Sequence, residues 1–227
     1  MRMIALETSG RQGSVAALEV DAGKPRLRGQ MMLGGRQRTA QSLAPALRDM
    51  LHASGWPPKS VELVAVAVGP GSFTGLRIGV TTAKTFAYGV GAQVIGVNTF
   101  VALAAQAPPA PGPLWTILDA QRLELFVAKF AANDGNAIPI DCITSIIPQD
   151  EWLAGLQPGD RVIGPALARL APRLPQGVVV VPPEFWQPMA EAVGRVAWHA
   201  YQAGHRDDVW KLAPNYYRPS YAEEKRP

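Results

Sequence analysis

The stretch VAVAVGPGSFTGLRIGVTTAKTFAYGVGAQVIGVNT, residues 64–99, decides the fold. Leu63–Val68 is all apolar or small, as a strand buried on both faces should be. A glycine-rich elbow, Gly69–Phe73, follows it. A helix from Thr74 to Tyr88 and a second buried strand, Gln93–Val97, complete the block. A strand, a tight turn and a helix N-terminus in this order can present backbone N–H groups to an anion.

The elbow matches no nucleotide motif. GPGSFTG lacks the Gly-Lys-Ser/Thr of a P-loop. The dinucleotide pattern fails because its third glycine is due at Thr74 and arrives at Gly75. The nucleophile elbow fails too, because Pro70 and Thr74 stand in the two glycine places around Ser72. A phosphate cradle of backbone N–H groups stays open, but a tight turn capped by Ser72 or Thr74 is the simpler reading. Along the helix, Gly75, Gly79, Ala83 and Ala87 recur every four residues and draw one stripe. Interior glycines cost roughly 1 kcal/mol each relative to alanine. A close neighbour must offset that, either from inside the fold or from another chain.

Outward from this block, Met3–Thr8, Ser14–Val20 and Pro25–Leu33 read as strands, the first two joined by the turn Gly10–Gly13. A helix is expected to Ala53, capped by Thr39 or, if Pro45 delays its start, by Ser42. It puts Leu43, Leu47, Met50 and Leu51 on one face. Thr99–Gln106 is a short helix. Ala107–Pro113 is a stiff proline-rich connector, which divides the chain into lobes of residues 1–107 and 108–227. Beyond it, strands are expected at Leu114–Leu118, Leu125–Phe130, Ile138–Ile147, Arg161–Gly164 and Val178–Val181. Helices are expected at Pro148–Leu156, Pro165–Leu174 and Met189–Ala203, with an irregular aromatic tail from Arg206. Strands in a meander and then alternating with helices, twice over, predict an α/β protein of two lobes with mixed sheets.

Composition narrows the function. The 227 residues are 48% hydrophobic and 18% charged, enough for a real core. Cys142 has no partner in the chain, and the N-terminal apolar run is too short for a signal peptide. A reducing cytosol is the expected setting, and no segment is apolar for the ~18 residues a membrane span needs. Residues 1–107 carry 11 Lys/Arg against 5 Asp/Glu, a surplus of +6, which suits an anionic partner and equally suits scattered solvated arginines. His52, His199 and His205 form no metal-ligating pair. Glu7 opens Glu7-Thr8-Ser9-Gly10 at a strand end, where it can hold magnesium and phosphate or organise a turn. Asp119 and Glu124 flank a hairpin, and read most simply as turn and surface charge.

MIALETSG, AVGPGSFTGLRIGVTTAKTFAYG, VIGVNT and LDAQRLELF fall in the order and spacing of the TsaB (YeaZ) family, and the chain resembles it in detail over residues 3–130. The resemblance implies an actin-like, Hsp70-type ATPase (ASKHA) fold. It also implies a role in making N6-threonylcarbamoyladenosine in tRNA, as the partner of a TsaD-type transferase. TsaD-like proteins carry two metal-binding histidines after the second strand of the block; here Gly96–Leu103 holds none. Three positions depart from the family: Glu7 where Asp is common, Thr39-Ala40-Gln41-Ser42 in place of a His-Ser pair, and Gln121 in place of the Arg of Asp-Ala-Arg.

Residues and resemblance together predict a non-catalytic scaffold. Its expected contact surface is Leu43, Leu47 and Met50 with Gly75, Leu76, Gly79, Val80 and Ala83, and in the partner's absence the same surface pairs two copies of this chain. Glu7, Thr8, Ser9, Gly71, Ser72 and Asp119 mark a vestigial nucleotide site. No cofactor is required by this chain. ATP or ADP is left to the interface of a complex that also includes a TsaE-type ATPase and reaches tRNA as a whole. The alternatives are an ATP-dependent small-molecule kinase of the same fold, and a module that binds tRNA directly through the basic first half.

Overall fold

The structure, a computed structural model, describes residues 1–34, 39–131 and 141–218. The first sheet is a meander of β1 (Arg2–Glu7), β2 (Ser14–Asp21) and β3 (Lys24–Met32), extended by β4 (Leu63–Gly69) and β5 (Gln93–Asn98) in the order β3-β2-β1-β4-β5. β4 lies parallel to β1, with Met3 opposite Leu63, and β5 parallel to β4. The second sheet repeats that plan with β6 (Leu114–Gln121), β7 (Glu124–Phe130), β8 (Ser145–Pro148), β9 (Arg161–Ile163) and β10 (Val179–Val180). Its order is β8-β7-β6-β9-β10. The same strand order twice is a structural duplication that the sequence does not display. It is the expected arrangement of two mixed sheets flanked by helices.

Side-chain alternation assigns the faces. Ile4, Leu6, Val15, Val64 and Val66 point to helices α1 (Thr39–Ala53) and α2 (Phe73–Val90). Met3, Ala5, Leu18, Leu63 and Ala65 point the other way, to α3 (Thr99–Gln106) and α6 (Ala190–Gln202). This second face is continuous with Leu114, Leu118 and Phe130 of the second sheet, so one core lies between the sheets. The far side of the second sheet is covered by α4 (Gln149–Gly155) and α5 (Leu167–Leu170). Helix α6 follows the second sheet in sequence yet lies on the first, and residues 207–215 continue along that sheet. Val94 bridges to Asp207, and Asn215 N–H donates to Val68 O at 2.7 Å.

Several expected elements differ locally. α1 already includes Thr39 and runs unbroken through Pro45, which sits on its exposed side. The strand expected at 138–147 pairs only from Ser145. Residues 138–140 lie outside the described segments, and at 141–142 the Asp141 carboxylate accepts the Cys142 N–H instead. The helix expected at 165–174 is cut to Leu167–Leu170 and finishes as a 3₁₀ turn that holds Pro172. The connector is fixed by Arg161, whose guanidinium donates to the carbonyls of Pro108 and Ala110.

Candidate functional site

Helix α2 starts where the elbow turns. Ser72 is its N-cap and accepts from Gly75 N–H at 3.2 Å. Ser72 N–H donates in turn to Ser9 O at 2.7 Å. The loop leaving β1 therefore lies along the first turns of α2. A Cβ on Gly75 would sit 2.0 Å from Thr8 O, and one on Gly79 would sit 2.1 Å from Thr8 Oγ1. These distances explain the glycines: the helix is pressed onto the Thr8–Ser9 segment closer than any side chain allows. The compensation for two helix-interior glycines comes from inside the fold.

That placement corrects the expected contact surface. Leu43 is 1% exposed, Met50 2% and Val80 3%, and Leu47, Leu76 and Ala83 are buried as well. All but Leu76 belong to the cluster that faces Ile4, Leu6, Val64 and Val66, while Gly75 and Gly79 face Thr8. The structure buries all eight residues within this chain, five of them in one cluster. An apolar stripe along a helix must cover the sheet before it can cover anything else.

What α1 and α2 turn outward is a different set. Thr74, Ile78, Thr81 and Thr85 climb the solvent side of α2 at helical spacing, all exposed except the half-buried Ile78. Ala40, Gln41, Ala44 and Pro45 are exposed on α1. Ala44 lines an open groove between the helices with Thr81, Thr82, Thr85 and Phe86. Sequence reasoning passed over these positions because threonines outside an apolar stripe read as solvent-facing filler. Their signal was the absence of charge at spacing 74, 78, 81, 85.

The second expected site separates into two places. Glu7 ends β1 fully buried, on the face that meets α6. Its Oε1 accepts from Ser9 N–H at 2.7 Å and from Ser9 Oγ, whereas Oε2 has no hydrogen-bond partner. Burial pushes this carboxyl up to about 7 against the pull of the Ser9 bonds. The opposite residue on β2, Ser14, accepts from Ala190 N–H at the start of α6, so the helix end seals the strand end. Thr8 and Ser9 are buried with it, and the Gly71 Cβ position meets Ser9 at 2.6 Å. Asp119 lies instead at the end of β6, half exposed. It accepts from Gln121 N–H at 2.7 Å and faces Arg169 at 3.5 Å.

This geometry suits packing more than nucleotide chemistry. Two of the N–H groups around the elbow, those of Ser72 and Gly75, already have protein partners. The acid at Glu7 is closed off from solvent, and the acid at Asp119 belongs to the other sheet. Among the described residues, no three His, Cys, Asp or Glu side chains converge as metal ligands would, and no helix is long and apolar enough to cross a membrane.

Comparison with known proteins places this geometry. Residues 36–146 match the family model for TsaD, tRNA N6-adenosine threonylcarbamoyltransferase. The chain is 26% identical to the tRNA threonylcarbamoyladenosine biosynthesis protein TsaB of Bacillus subtilis (strain 168) over 168 residues, 72% of this chain and 69% of that protein. It is 30% identical to the protein of the same name from Escherichia coli (strain K12) over 136 residues, 59% of this chain and 57% of that one. The fold is that of YeaZ from Pseudomonas aeruginosa, with a TM-score of 0.78 at 23% identity, covering 95% of this chain and 99% of that one.

Proposed function

We propose that this chain is a TsaB (YeaZ)-type protein and that it serves tRNA threonylcarbamoyladenosine biosynthesis as a non-catalytic subunit that docks a TsaD-type transferase. The observation that carries the reading is the outward face of α1 and α2, where Thr81, Thr82, Thr85 and Ala44 line one groove without a charge. Small side chains let a partner helix approach closely, and an interface core is poor in charged residues. In isolation the same face is available to a second copy of this chain. A TsaE-type ATPase joins at the level of the complex.

Catalysis by this chain is not part of the proposal. Gly96–Leu103 carries no histidine, and Glu7 is fully buried, with the start of α6 bonded to Ser14 opposite it. ATP or ADP is accordingly assigned to the interface of the complex. The same two facts speak against a small-molecule kinase.

Thr85 is exposed, so Thr85→Arg leaves the fold intact while placing a charge in the centre of the groove. Co-purification with a TsaD-type transferase is expected to be lost at an unchanged unfolding midpoint, and any dimer of the chain seen by sedimentation is expected to dissociate. Undiminished capture of the transferase by this variant overturns the proposed surface.

A further inference from the structure

Residues 206–218 return along the edge of α2 opposite the α1 groove, and they build a row of rings and cations there. Trp210, 71% exposed, meets Tyr88, 66% exposed, edge-on with centroids 5.0 Å apart. Lys84 Nζ fixes that segment by donating to Trp210 O at 3.1 Å and Leu212 O at 2.8 Å. Toward the start of α2, Arg77 lies 4.1 Å over the Phe73 ring and donates from Nε to Tyr216 Oη at 2.9 Å. Before the segment reaches α2, Arg206 covers the ring of Tyr201 on α6 at 3.3 Å. Exposed aromatic rings of this size need a reason, because burying them is worth more than leaving them in water.

Four cations along the row form no ion pair among the described residues. Arg2, Arg26, Arg28, Arg48, Lys129, Arg169, Arg173 and Arg195 each lie within 4.0 Å of a carboxylate. Arg77, Lys84, Arg206 and Lys211 have no carboxylate partner among the described residues. The bonds of Arg77, Lys84 and Arg206 go to neutral oxygens. The two acids of the segment are turned onto main-chain groups: Asp207 accepts from Gly96 N–H and faces His205, and Asp208 accepts from Trp210 N–H. Helix α2 itself contains no acid.

We propose that this edge binds a single-stranded segment of RNA, with bases stacking on Trp210 and Tyr88 and the phosphates following Lys211, Lys84, Arg77 and Arg206. Unpaired cations alternating with ring faces fit a polyphosphate chain with splayed bases. A protein interface core is depleted in lysine, and this row has two. The proposal takes from the preceding reading only that RNA is at hand; the docking groove lies on the other side of α2.

The test is fluorescence anisotropy of a short labelled single-stranded oligoribonucleotide with the full chain, read across a salt series. Binding is expected to weaken with salt at a log–log slope of about −3, for four cations at ~0.7 each. It should also be accompanied by a change in Trp210 emission. Trp210→Ala is expected to weaken binding roughly tenfold, in line with the loss of one stacked base, at an unchanged unfolding midpoint. Lys211→Met is expected to make the slope shallower by about 0.7. Thr85→Arg is expected to leave RNA binding intact, which separates failure here from failure of the docking face. The proposal is overturned by absence of salt-dependent binding, by equal binding of wild type and Trp210→Ala, or by a duplex of the same length binding as tightly as the single strand. It is also overturned if Trp210→Ala impairs only capture of the transferase, which makes the row a protein surface.

Discussion

Glu7→Gln should remove a pH dependence of stability that the wild-type chain carries in its first strand. The carboxyl is fully buried with Oε2 unpartnered, and its pKa stands at about 7 against an ordinary 4.5. A raised acid pKa means that the native state binds the proton more tightly than the unfolded chain. The stabilisation is therefore complete below about pH 4.5 and is lost as pH rises through about 7. Between those limits the unfolded chain is ionised and the native chain is protonated, so stability falls by about 1.4 kcal/mol per pH unit, roughly 3 kcal/mol in all. The amide keeps an oxygen for the Ser9 N–H but places an unsatisfied donor where Oε2 lies, an offset of about 1–3 kcal/mol that does not vary with pH. Urea titrations of both proteins from pH 4.5 to 8 isolate the effect as a double difference: the variant should gain about 3 kcal/mol on the wild type across the range. Other titrating groups cancel in that difference. Parallel curves for wild type and Glu7→Gln refute the assignment of a neutral, sealed carboxyl.

Two further outcomes test the packing. Gly79→Ala puts a methyl 2.1 Å from Thr8 Oγ1 and should destabilise the monomer by about 1–3 kcal/mol in a denaturant melt; a neutral or stabilising result means that the helix does not press on the β1 loop. The Cys142 thiol is held up at about 11, first by burial and then by Asp141, so only about one molecule in a thousand is thiolate at pH 8. Reaction with a disulfide reagent at that pH should be far slower than for a free thiol, and a rate equal to that of a model peptide contradicts it.

Much of the architecture was legible because its strands are written as uninterrupted apolar runs. Leu63–Val68 faces a helical layer on each side, so every residue had to be apolar, and the sequence shows that directly. The orientation of the α2 stripe was not legible. Periodicity establishes that Gly75, Gly79 and Ala83 share a face, but no local signal says whether that face meets the chain's own loop or another protein. The answer depends on Thr8, some 70 positions earlier. The return of α6 to the first sheet was hidden for the same reason. Its apolar face looks alike whichever sheet it covers, and Gly194, whose Cβ position meets Leu18 at 2.6 Å, reveals the fit only in three dimensions. The tail's aromatic residues were visible as composition, yet their pairing with Tyr88 and Phe73 needed the return path of the chain.

The duplication places an acid near the end of the first strand of each lobe. Glu7 and Asp119 stand near the end of the first strand in each half, and both strands lead into a turn and an antiparallel partner. Topology alone would treat the two acids alike. Their difference comes from what covers them: the N-terminus of α6 and the elbow of α2 close over Glu7, while Asp119 keeps water and Arg169. Burial takes Glu7 away from solvent and raises its pKa, whereas Asp119 stays open to solvent and to Arg169. The helices that bury Glu7 then have their outer faces left unassigned. For α2 those outer surfaces are the uncharged groove beside α1 on one side and the cationic aromatic row on the other. One helix thus carries two surfaces of opposite character because its inner face is already committed to the fold.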